Sequence, residues 1–403
     1  MTSLSPGRTR LALLALALGG FGIGSTEFVV MGLLPNIAHD LSPALDAADH
    51  GAALAKTGWL ISAYALGVVV GAPTIAALAA RFPRKQLLLW LLGAFTVATV
   101  ASALMPTFEL VLVARFVAGL PHGAYFGIAS LVAATLMGEG KRGRGVAFVL
   151  SGLTVANVIG VPLITFLGQS AGWRVSYLVV AAIFAATFVA VSLFVPLQAG
   201  DPSATMKREL TIFRRPQVWL ALLIGSIGFG GFFAVYSYIA PVVTRVTRLD
   251  ESFVPIALVA AGLGMTIGNL LGGRAADHHV MKTIFVCFGI FAVALAGFAL
   301  TAQWPAGLLV FVFLVSGAAS ALSPAIQTRL MDVAGDSQSL AAALNHSALN
   351  IGNSLGAYLG GVTIAGGLGY LSPTWVGLLL CVPGVGFAII SWATSRPRRL
   401  RIA

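Results

Sequence analysis

Glu27 stands inside the stretch Gly19–Leu34, GGFGIGSTEFVVMGLL, where its neighbours are apolar, small or weakly polar. A charged side chain at the centre of a bilayer costs about 2.5–3.5 kcal/mol or more, so such an acid faces a polar cavity or takes up a proton. Of the thirteen Asp and Glu in the chain, Glu27 is the one that falls well inside an apolar span. The chemistry it offers is reversible protonation within the membrane.

Arg115, in LVLVARFVAGLPHGAYFG, is the corresponding cation. With a rise of about 1.5 Å per residue, Glu27 lies about 10 Å from one membrane edge and Arg115 about 9 Å from the same edge. Matching depth predicts a direct or water-bridged pair that would hold Glu27 ionised. A static structural pair is the competing reading. His122 lies two turns deeper and can donate, accept or titrate near neutral pH, which makes it a candidate for both proton and solute. Asn157, Asn350 and Asn353 bring amides to similar depths, His346 brings a ring nitrogen nearer the cytoplasmic end of its span, and Tyr236 brings an aromatic face on the seventh span. They suit a hydroxyl- or amide-bearing solute. The same groups can also act as interhelical hydrogen bonds worth about 0.6–2 kcal/mol each. Gly160 and Pro162 permit a bend in their span and so a gating hinge.

These residues need long apolar elements to position them. The chain has 403 residues, 58% hydrophobic and 9% charged, against about 25% charged in a soluble protein. A polytopic all-α membrane protein is expected. About 20 apolar residues cross a bilayer, which predicts twelve spans: roughly 11–35, 57–80, 86–106, 108–137, 145–168, 174–197, 217–244, 253–275, 281–302, 305–331, 338–366 and 373–394. Leu11 onward carries no small-residue cleavage site, so the first span is read as retained. The long connection 198–216 divides the chain into six-helix halves, 1–197 and 217–403. Asn157-x-x-Gly160 and Asn353-x-x-Gly356 occupy matching places in them, as expected of repeats that hold a site between them near the midplane.

The net charge of +11 does not indicate nucleic acid, because the basic residues lie in short loops. Nineteen of the 24 Lys and Arg fall on one side, which by the positive-inside rule places both termini in the cytoplasm. Cys287 and Cys381 lie in apolar spans and form no disulfide or metal pattern. There is no phosphate-binding Gly-Lys-Ser/Thr loop, and His278-His279 is too isolated to be a metal ligand set. No enzyme activity, metal or cofactor is expected.

The segments FGIGSTEFVVMGLLPNIAHDL, LISAYALGVVVGAP and RFVAGLPHGAYFGIAS resemble the major facilitator superfamily, in particular its twelve-helix drug:proton antiporter branch and its arabinose-efflux and chloramphenicol-efflux permeases. The likeness covers essentially the whole chain. The loop pattern Gly-x-Leu-x-Asp-Arg-x-Gly-Arg-Lys maps onto residues 76–85. Leu78, Arg81, Arg84 and Lys85 match, whereas Ala76, Ala80 and Pro83 depart. Its second-half copy keeps Gly273 and Asp277. The resemblance implies gating roles for Arg81, Arg84 and Asp277 and a proton-coupling role for Arg115. It also implies proton-coupled export of a sugar or drug-like solute by alternating access, from a monomer in the bacterial inner membrane. The expected partners are that small solute, protons and the lipid bilayer. An importing proton symporter and a non-transporting sensor are the rival readings, the sensor disfavoured because no soluble signalling domain follows residue 394.

Overall fold

A computed structural model describes residues 5–79, 82–138, 142–198, 210–334 and 338–395. Every regular element among them is a helix, as a lipid environment requires when each backbone N–H and C=O must find its partner within the segment. The first half contains α1 (Pro6–Gly32), α2 (His50–Ala79), α3 (Arg84–Leu104), α4 (Phe108–Met137), α5 (Arg144–Ala171) and α6 (Trp173–Phe194). The second contains α7 (Pro216–Tyr236), a run Val254–Thr301 that breaks at His279 into α8 (254–278) and α9 (280–301), then α10 (Pro305–Ala334), α11 (Gln338–Ala365) and α12 (Ser372–Ser395). Among the described residues, ten helical stretches are long and apolar enough to cross a membrane, with the broken run counted once. The helix α11 is long enough but falls outside that set. Pro6 and Pro216 sit in first turns, where a missing N–H costs nothing.

Three expected boundaries shift. The connection 36–56 is mostly helical, with short helices Leu34–Leu41 and Pro43–Ala48 leading into His50. Pro121 interrupts α4 between Gly119 and His122. The seventh span widens into a π-turn at Ile224–Gly228, and its regular helix stops at Tyr236, short of residue 244.

Antiparallel contact between α2 and α11 joins the halves. Ser62 Oγ donates to the Ser354 carbonyl at 3.1 Å and Ser347 Oγ to that of Val69 at 3.5 Å, while Gly361 meets Ala55 and Gly51 meets Ile364. The second seam runs between α5 and α8, where a methyl group on Gly262 would lie 2.3 Å from the Asn157 carbonyl oxygen. Following the packing of α1 on α5 and of α12 on α7 brings the start of α1 and the end of α12 to one end of the bundle (the terminal end). At the opposite, distal end, Glu251 bridges the halves. Its carboxylate accepts from Asn36 Nδ2 at 2.8 Å and its carbonyl from Gln169 Nε2 at 3.0 Å.

The distal end also holds a local clamp. Asp46 lies 2.6 Å from His50 Nδ1 and 3.1 Å from His39 Nδ1. Partial burial pushes this carboxyl up, but the hydrogen bonds and charge of His50 and His39 outweigh it and hold Asp46 below the ordinary 3.8. The carboxylate of Asp40 ties this segment to α6 through Arg174 and, at 3.0 Å, Trp173 Nε1.

Outward-facing Val97, Leu193, Val293 and Leu379 are roughly 70% exposed, a penalty in water but not against acyl chains of the same polarity. Without a hydrophobic drive between helices, close backbone approach does the packing. A methyl on Gly268 would fall 2.0 Å from the Gly317 carbonyl oxygen, whereas one on Gly273 would meet nothing within 4 Å. Gly268→Val is therefore expected to force α8 off α10 and lower stability by at least about 1–3 kcal/mol, with Gly273→Val near neutral. Thermal unfolding of both variants in detergent checks this, and equal melting temperatures would contradict the seam.

Candidate functional site

Glu27 lies in the middle of the buried face of α1 and is 6% exposed. Its partner comes from the other half of the molecule: Asn353 Nδ2 of α11 donates to Glu27 Oε1 at 3.4 Å. Phe28, next on α1, faces the same half, stacking on Phe233 at 6.4 Å and meeting Tyr236 edge-on at 5.7 Å. Glu27 thus stands where the halves meet, beside an aromatic group from α7.

Arg115 does not pair directly with Glu27. No ion pair within 4.0 Å joins them among the described residues. Instead Arg115 Nη1 donates to Thr26 Oγ1 at 3.1 Å, and the guanidinium lies 4.4 Å from the Tyr64 ring and 5.4 Å from that of Tyr177. Successive helical residues diverge by about 100°, so Thr26 faces Arg115 within the first half while Glu27 turns towards α11. Arg115 reaches the residue next to Glu27, but matching depth does not fix the direction in which a side chain points. Arg115 is fully buried, and its Nε and Nη2 have no hydrogen-bond partner among the described residues. The π faces of the two tyrosines add to the stabilisation of the cation.

His122 begins the helix segment after Pro121, and its Nδ1 lies 3.1 Å from the Tyr64 hydroxyl. Across the seam its ring is 6.0 Å from His346 of α11, and Phe126 stacks on His346 at 5.6 Å. Two sequence candidates from different halves therefore meet directly and through Phe126. Asn350 lies one turn further along α11, its Nδ2 donating to the His346 carbonyl at 3.0 Å. The amide oxygens of Asn157, Asn350 and Asn353 and the Tyr236 hydroxyl are buried without a hydrogen-bond partner among the described residues. Thr165 Oγ1 on α5, Tyr177 Oη on α6 and Asn345 Oδ1 on α11 are in the same position.

In α5, residues Ala156–Gly160 form a π-turn and the α-helix resumes at Val161, with Pro162 in its first turn. Gly160 packs against Phe21 and Ser25 of α1, where a methyl would come within 2.7 Å of Phe21. The two residues therefore mark an irregular, close-packed place in the helix. Arg81 lies outside the described residues. Arg84 Nη1 donates to Thr135 Oγ1 at 3.3 Å and to Gln198 Oε1 at 3.5 Å, joining α3, α4 and the end of the first half. Asp277 is exposed near the end of α8 and makes no ion pair among the described residues.

Tyr64, Thr26, Tyr177 and Phe126 are the members that reading the sequence missed. Tyr64 left one trace, a lone phenol in the otherwise apolar LISAYALGVV. Thr26 and Phe126 carry no separable signal, because a hydroxyl beside an acid and a phenylalanine in a membrane span have too many ordinary uses.

The sequence profile of the Major Facilitator Superfamily matches residues 16–261 and 239–402. The chain belongs to that family. It is 40% identical over 360 residues to the inner membrane transport protein YdhP of Escherichia coli K12, covering 89% of this chain and 90% of that one. It is 33% identical over 377 residues to a chloramphenicol resistance protein of Streptomyces lividans, covering 92% and 94%. The crystal structure of a bacterial homologue of the human lysosomal transporter Spinster, inward-facing and occupied, superposes with a TM-score of 0.76 at 15% identity, covering 97% and 98%. The relatives and the fold are those of membrane transporters, not enzymes, and this chain is a multi-pass membrane protein.

Removing the Tyr64 hydroxyl tests the geometry. Tyr64→Phe loses one interhelical hydrogen bond, worth about 0.6 kcal/mol. Tyr64→Ala also removes the ring against Arg115 and leaves a cavity, expected to cost about 3–5 kcal/mol. Unfolding of both variants in detergent gives the ordering, and similar losses would contradict the stacking role.

Proposed function

We propose that this protein is a proton-coupled antiporter exporting a small organic solute from the cytoplasm across the bacterial inner membrane by alternating access. Twelve crossings in two six-helix halves, residues 1–197 and 217–403, would place both termini in the cytoplasm, so that the terminal end faces inward. The observation that carries the reading is the hydrogen bond from Asn353 to Glu27, because it makes the one buried carboxyl among the described residues part of a contact between the halves. A carboxylate can only accept there, whereas a protonated acid can also donate. Proton uptake at Glu27 therefore changes how strongly α1 holds α11, and that difference biases the facing of the bundle.

In this reading Arg115 shapes the charge around Glu27 from within the first half, held by Thr26 and the two tyrosine faces. His122 and His346 form the deeper part of the solute path, next to Tyr64 and Phe126. The free oxygens of Asn157, Asn350, Asn353 and Tyr236 would accept hydrogen bonds from the solute, and the aromatic rings of α7 would cover its apolar surface. Such a lining suits a sugar or a drug-like molecule, and resistance to chloramphenicol in a relative favours the second. The irregular backbone at Gly160 and Pro162 acts as hinge, while Arg84 and Asp277 act at the inner ends of their halves. The protein works as a monomer.

Inverted membrane vesicles test this with a panel of sugars, chloramphenicol and a lipophilic cation, with and without an uncoupler. Export predicts accumulation of one solute that the uncoupler abolishes and that Glu27→Gln lacks. Accumulation surviving in Glu27→Gln would move the proton site, and solute entry in the opposite direction would identify a symporter.

A further inference from the structure

The adjacent histidines set aside as metal ligands occupy a definite place in the fold. His279 leaves helical geometry (φ −152°, ψ 87°) at the turn between α8 and α9. Residues 278–282 and Trp392 of α12 line an open depression of about 510 Å³ at the terminal end. The two helices meet there, with Phe285 edge-on to Trp392 at 6.4 Å. The polar lining comes from His278, His279 and Lys282. Among the described residues no carboxylate lines the depression, and Asp277 precedes its first lining residue. Beyond the depression the groove is apolar and faces outward, with Val286 and Ile290 on α9 and Ile389 and Ile390 on α12 about half exposed.

We propose that this groove binds an anionic phospholipid from the leaflet at the terminal end. Lys282 and the two imidazoles meet the phosphate as a cation and ring N–H donors, Trp392 sits at the interfacial level favoured by indole, and the acyl chains run along α9 and α12. Basic depressions between membrane helices select anionic head groups in this way. Charge complementarity and continuity with the lipid-facing surface both point to a lipid. The proposal depends on the membrane-spanning fold alone and is independent of the direction of transport.

Native mass spectrometry of the full chain, released from phosphatidylcholine nanodiscs doped with phosphatidylglycerol, tests it. The wild type should retain phosphatidylglycerol in preference to phosphatidylcholine. Lys282→Gln should weaken that retention about fivefold, as expected for one basic residue near a lipid surface. Lys282→Gln with His278→Asn and His279→Asn should abolish the preference. Arg245→Gln, which removes a charge at the distal end, should leave it unchanged. Phosphatidylglycerol retention by the triple variant at the wild-type level, or no preference in the wild type, overturns the proposal. Thermal stabilisation by inorganic phosphate at the same residues without lipid selectivity would also overturn it. Solute flux, measured separately, is not needed for any of these outcomes.

Discussion

A carboxyl group buried within a membrane bundle has to be accommodated, and the surrounding structure does so by dividing the task between the two halves. Asn353 of α11 supplies a hydrogen bond to Glu27, and the aromatic side chains of α7 close around Phe28. Arg115 stays within the first half, held by Thr26 and packed against Tyr64 and Tyr177. Cation and anion are close enough in depth to influence each other but do not lock together. Arg115 ties α4 to α1 through Thr26, and Glu27 turns its carboxylate to Asn353 in the opposite half. The separation allows the carboxyl to act across the seam.

This arrangement depends on backbones that can approach closely. The α2–α11 and α5–α8 seams are built from glycine, alanine and serine, with Gly361 against Ala55 and Gly262 against the Asn157 carbonyl. Small residues let polar groups from different halves reach each other while lipid-facing positions stay apolar. Distal contacts add a second layer, through Glu251 to Asn36 and Gln169. Hydrogen bonds between the halves among the described residues run from that end to Ser347 and Val69. Such contacts are few among the described residues and individually weak.

How much of this the sequence reveals follows from what a helix repeat encodes. Hydropathy locates the apolar elements, and an isolated charge in an apolar run identifies Glu27 and Arg115. Rise per residue gives depth, but it does not give the rotation of one helix against another, so Arg115 finds Thr26 instead of Glu27. The partner of Glu27 lies 326 residues away, beyond any local pattern. The helix α11 is the most informative case. Asn345, His346, Asn350 and Asn353 make it polar enough to miss the set of apolar helices, yet they bring its chemistry to the centre. Tyr64 and Phe126 stay hidden for the opposite reason, since aromatic residues are ordinary in such spans.

The central claim is that protonation of Glu27 changes the contact between the halves. It is tested most directly by the distance between spin labels at Ala171 and Gln303, distal positions on opposite halves, in a background lacking Cys287 and Cys381. The account predicts that lowering the pH shifts the distance distribution of the wild-type sequence, and that Glu27→Gln holds one distribution throughout. A Glu27→Gln protein that keeps the wild-type pH response would contradict it.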